Sequence, residues 1–259
     1  MTYLHSSLFI LHIIFGSTAL ILFWVPMYTK KGQLNHKKFG RYYRNVMYAV
    51  AGTGAIMAAL VLAIPLTIKH EYADRENAAE IAESIRYFWS FLLYLALLSY
   101  TSTKHGDAVL RAKENRAKLR TFAYVAPIAL LFACGPLFIG IGIVRSNILH
   151  TVFGILGMLI GAGMLHYIYR KSVGVRAYIL EHVGSMIGSG IGAYTAFLAF
   201  GGRQFLDAAG SYQVIFWIAP GVIGSVLSFA LCKKYGKIFK VGDANSAVSV
   251  DAQSKLAKQ

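Results

Sequence analysis

Eight histidines stand out in a chain that carries few other groups able to do chemistry. His12, His166 and His182 lie inside apolar stretches, where an ionisable side chain is costly and turns toward a bundle interior or a ligand. Neutral imidazole is the commonest transition-metal ligand, and a bis-histidine haem takes its ligands from facing helices. His166 and His182 sit at similar depth on consecutive apolar stretches. They form the inner pair expected to hold a haem b or, failing that, a His-ligated iron, zinc or copper ion. His12 and His150 form the outer pair, and His36 and His105, among basic residues, are further metal-ligand candidates. The competing reading for the deep histidines is an interhelical hydrogen bond, and for the others a place in the headgroup zone. His150 and His166 are 16 residues apart, which turns them about 160° from each other on a helix and assigns them to separate sites.

Glycine accompanies the inner pair. Gly184, Gly188 and Gly192 follow GxxxGxxxG beside His182, and Gly154, Gly157 and Gly161 line the preceding apolar stretch. Such a ridge lets a second helix approach closely, and it equally admits a flat macrocycle or a quinone, so Gly184 and Gly188 join the cofactor-binding candidates. Glu181 is the one acid close to the interior of a stretch; it either orients an imidazole or reaches the interface. The last stretch has no lysine at mid-depth for a Schiff base, and no Gly-rich phosphate loop or pair of intramembrane carboxylates occurs.

These residues need a scaffold, and composition says what kind. Hydrophobic residues make up 56% of the 259, charged residues 14%, and mean hydropathy is +0.53. A water-soluble domain carries about 25% charged residues, so this chain belongs in a membrane. Seven stretches are long enough to span as helices, at residues 4–28, 46–68, 87–103, 122–144, 148–169, 178–200 and 212–232. The expected fold is all-α: a polytopic integral membrane bundle of seven transmembrane helices. Residues 1–240 form that single domain, and residues 241–259 a disordered tail. Of the 26 Lys and Arg residues, 21 fall on one side of such a bundle, which places the N-terminus outside and the C-terminus in the cytoplasm. The first stretch, followed by Lys30 and Lys31, reads as a retained anchor rather than a cleaved signal. The net charge of +15 is then a topology signal that also favours anionic lipid headgroups at the cytoplasmic face, and not nucleic acid. Cys134 and Cys232 make no disulfide framework and no CxxC motif.

Two segments echo each other: Leu11-His12-Ile13-Ile14-Phe15-Gly16 and Leu149-His150-Thr151-Val152-Phe153-Gly154, both opening outside-to-inside spans. A parallel duplication of the transporter kind is one source of such an echo and chance in apolar sequence another. The first of these segments, with the cytoplasmic box Asn35-His36-Lys37-Lys38-Phe39-Gly40-Arg41-Tyr42-Tyr43, residues 52–60 and Glu181-His182-Val183-Gly184-Ser185-Met186, resembles a bacterial family of polytopic membrane proteins of unknown function. The resemblance covers about half the chain, leaves out residues 86–145, and puts His12, His36 and His182 at motif positions. It implies a bacterial inner-membrane location and brings no activity.

The leading expectation is a redox protein that binds haem b or a metal ion and exchanges electrons with a quinone. The alternative is a transporter or channel for a small solute or metal ion. A third reading, a lipid-modifying enzyme using His36 and His105 on headgroups, lacks an accompanying nucleophile.

Overall fold

The computed structural model describes residues 2–201 and 213–242. In chain order the helices are α1 (Thr2–Tyr28), α2 (Leu34–Ala63), the single turn α3 (Pro65–Ile68), α4 (Ala78–Ala112), α5 (Phe122–Val144), α6 (Ile148–Tyr169), α7 (Ala177–Ala196, continued by a π turn at Phe197–Gly201) and α8 (Gln213–Ile238). Seven of them, all but α3, are long and apolar enough to cross a membrane, and no strand occurs among the described residues. The seven-span expectation holds. The expected tail lies almost wholly outside the described residues, as does the start of the last span at Tyr212.

Two spans are longer than hydropathy indicates. α2 begins at Leu34 instead of residue 46, and α4 runs 35 residues from Ala78 to Ala112 instead of from residue 87 to 103. At about 1.5 Å per residue α4 is about 52 Å long, far beyond a hydrocarbon core of about 30 Å. The extra turns are polar yet helical because their charges are matched locally. Arg111 pairs with Asp107 one turn earlier at 2.6 Å, and Lys104 Nζ donates to the Ala123 carbonyl at 2.8 Å. α2 ends where Pro65 forces the residue before it, Ile64, out of helical geometry (φ −134°, ψ 62°).

α4 is the hub, packed by α2, α5 and α7, while α1 leans on α2 and α8 on α7. α5 and α6 form a tight hairpin. Ser146 takes a positive φ of 51°, and the Asn147 side chain caps α6 by accepting from the Leu149 and His150 amides. At the opposite, basic end, three helix C-termini are capped by cationic side chains. Lys31 Nζ donates to the Pro26 and Met27 carbonyls of α1 at 2.8 and 2.7 Å. Arg116 reaches the Tyr167 carbonyl of α6 and that of Arg170 just after it, and Arg176 the Phe239 carbonyl just after α8. A cation at the negative end of a helix contributes about 0.3–1 kcal/mol, so residues that orient the bundle also finish its helices.

Candidate functional site

The overhanging turns of α2 and α4, with the first turns of α7, line a chamber of about 640 Å³ at the basic end, bordered on its other sides by α1 and α8. α2 presents His36, Gly40, Tyr43 and Arg44 to it, positions four, seven and eight residues after the first and hence on one helical face. Five cations border the space: Lys31, Lys37, Arg41, Arg44 and Lys113. One carboxylate, Asp107, faces them, and it is already held by Arg44 at 3.0 Å and Arg111 at 2.6 Å. Deeper in, the lining turns apolar, with Phe23, Met27, Met186, Ile187 and Leu231. Burial, and then the charge of Lys234, push the Lys31 ammonium below the ordinary lysine range.

His36 and His182 both line the chamber and are held in the same way. His182 Nδ1–H donates to the Gly106 carbonyl at 2.7 Å, and His36 Nδ1–H to the Pro26 carbonyl at 3.1 Å. A carbonyl only accepts, so the proton of each neutral ring sits on Nδ1 and the Nε2 lone pair is left over. Neither Nε2 has a protein hydrogen-bond partner among the described residues.

Next to the chamber, α7 grips α4 through two consecutive residues. While His182 bonds Gly106, Glu181 lies 3.3 Å from Nε2 of the fully buried His105. The other nitrogen of His105 meets the Tyr124 hydroxyl of α5 at 2.6 Å, with the Tyr167 ring edge-on. Gly106 lets the two helices close, since a Cβ there would lie 2.8 Å from the Met186 sulfur. His105 thus ties three helices together, and both its nitrogens are occupied by protein groups. Glu181, still about one-third exposed, orients an imidazole, but that of His105 rather than of its neighbour.

The histidine pairs read from sequence do not assemble. His166 is exposed on α6, which packs on α5, so it does not face His182 on α7. Sequence depth gives the height of a residue along the bundle but not the direction its side chain points. His12 is on α1, which packs on α2, and His150 on α6, which packs on α5. His12 Nδ1–H donates at 2.9 Å to the Thr53 hydroxyl of α2, which itself donates to the Ala49 carbonyl. His150 is 2% exposed, bonded through Nδ1 to Asn147 and stacked on Tyr87 at 3.9 Å between centroids, its Nε2 buried without a partner. His36 and His105 separate as well, one in the chamber and one in the core. Gly188 has nothing within 4 Å of a Cβ, and Gly184 only Ser228 Oγ at 4.0 Å, so neither makes a tight seam.

What the structure does bring together is His36 with His182, two of the three motif histidines. Around them stand residues that the sequence did not mark as part of a site: Lys31, Arg44, Asp107 and Lys113. The i,i+4 pair Asp107–Arg111 agrees with a helical composition there but does not reveal that the helix continues α4 beside the chamber. Among the described residues, no three His, Cys, Asp or Glu side chains are grouped as a metal ion requires. The arrangement can hold an anion on its cations and exchange a proton at two Nε2 atoms. Comparison with known proteins returns no match to a family model, to a curated protein or to a solved structure.

Proposed function

We propose that this is a multi-pass protein of a bacterial inner membrane whose basic end faces the cytoplasm and binds an anionic membrane amphiphile in the chamber between His36 and His182. The supporting observation is the imbalance of the wall, five cations against one carboxylate that two arginines already hold, above an apolar lining. Such a wall is self-repelling when empty and is relieved by a phosphate or carboxylate head. The two Nε2 atoms accept from a protonated head and, when protonated, donate to an ionised one.

A redox role is the second reading, with His36 and His182 as ligands of a haem b or transition-metal ion and a quinone as partner. It is favoured by one feature: each Nδ1–H rests on a backbone carbonyl, as the outer nitrogen of metal-bound histidine commonly does.

Native mass spectrometry of detergent-purified protein offered phosphatidic acid and phosphatidylcholine separates the readings. Retention of phosphatidic acid alone, lost in the double variant Arg41→Gln/Lys113→Gln, is expected. Equal retention of both lipids would reject the anionic site. A stoichiometric haem absorption band abolished by His182→Ala would favour the redox reading.

A further inference from the structure

α1 and α8 both border the chamber but share no packed seam, since α1 leans on α2 and α8 on α7. Near the chamber they are bridged by Lys31, just after α1, whose ammonium lies 5.5 Å from the Tyr235 ring centre of α8. The lining is also graded by depth. On α7 it runs from Tyr178 through His182 to Ile187. That is nine residues, or about 14 Å from headgroup level into the bundle. Lys31, Lys37, Arg41 and Lys113 belong to the loop end, while Phe23 and Leu231 flank the inner part between α1 and α8, which share few contacts. A small hydrophilic phosphate would use the cations and leave this apolar depth idle. A lipid would place its head on the cations and its chain along the α1–α8 gap, without leaving the bilayer.

We infer that the ligand of this chamber is a phosphate-headed lipid that enters sideways from the bilayer between α1 and α8, past the Lys31–Tyr235 contact. The inference rests on the anionic-amphiphile reading and adds the hydrocarbon chain and the route. Lys31 fits the post: its ammonium is anchored on the Pro26 and Met27 carbonyls, and it is the cation that an arriving headgroup meets at the gap.

The test joins α1 to α8. Cys134 and Cys232 are replaced by Ala, Met27→Cys and Leu231→Cys are introduced, and the pair is bridged with a bismaleimide after purification. Binding of dioleoyl phosphatidic acid and of sn-glycerol 3-phosphate is measured before and after bridging, and in each single-cysteine variant treated with the same reagent. Lateral entry predicts that bridging lowers phosphatidic acid binding at least tenfold and leaves glycerol phosphate binding within twofold. Unchanged binding of both ligands after bridging overturns the lateral route and leaves the anionic site standing. Failure of either ligand to bind the unbridged protein overturns the site itself, and the inference with it.

Discussion

α6 and α7 carry glycine at similar spacing and use it in opposite ways. On α6 a Cβ at Gly154 would lie 2.9 Å from the Gly135 carbonyl and the Ile139 amide of α5, and one at Gly161 3.0 Å from Phe132. Gly157 accommodates the Tyr94 hydroxyl of α4, which donates onward to the Leu131 carbonyl at 3.1 Å. Backbones meet there, and no room is left for a ligand. On α7 the ridge Gly184–Gly188–Gly192 meets little, and the close contact is made by Gly190, outside that ridge, against the Phe23 ring. The α5–α6 side is a sealed seam. The side built from α1, α2, α4, α7 and α8 keeps open volume, and its polar groups are arranged around that volume. Glycine spacing marks where helices are able to approach, and the partner helix decides whether they do.

The largest expected effect sharpens this contrast. Gly154→Ala should cost about 1–3 kcal/mol by overpacking, and a leucine there should prevent folding. Gly188→Ala should be neutral or stabilising by up to about 1 kcal/mol, since alanine is the better helix former. Thermal unfolding in one detergent measures both, and equal losses would break the comparison.

The two histidines at the α4–α7 contact come next. His105→Ala strands the Tyr124 hydroxyl in the core and cuts the link among α4, α5 and α7, so a loss of about 2–3 kcal/mol is expected. His182→Ala removes one bond to a mid-helix carbonyl and should cost about 1 kcal/mol while weakening anion binding. A urea or thermal series on both variants, read beside lipid retention, shows whether stability and binding separate. Arg116→Ala should cost a smaller amount, about 0.3–1 kcal/mol, by uncapping α6.

The smallest effect concerns pH. The Lys31 ammonium loses its proton at lower pH than an ordinary lysine, so anion binding that depends on it should weaken as pH rises through that depressed value. Lys31→Arg keeps its charge throughout and should move the decline to higher pH. Coincident pH profiles for the two proteins would remove Lys31 from the site.

Much of the scaffold was legible in the sequence. Seven apolar stretches and a one-sided distribution of Lys and Arg specify seven spans, because a bilayer imposes a fixed length and the headgroup regions hold the charge. The chamber was not legible. Hydropathy ends the third stretch at residue 103, and most partners of the polar turn that follows are distant in sequence, Lys104 with Ala123, His105 with Tyr124 and Glu181, Asp107 with Arg44. Depth along the sequence put His166 level with His182, yet side-chain direction sends His166 outward. His36 was recognised but paired with His105, because nothing in the order of residues shows that α2 starts early enough to bring it beside α7.

Labelling with a photoreactive phosphatidic acid in liposomes tests the basic-end site most directly. The expected result is adducts concentrated on peptides carrying His36, Arg41, His182 and Tyr235, suppressed by excess unlabelled phosphatidic acid and not by phosphatidylcholine, with α5 and α6 labelled weakly and without competition. Uniform labelling of every lipid-facing helix, indifferent to either competitor, would contradict it.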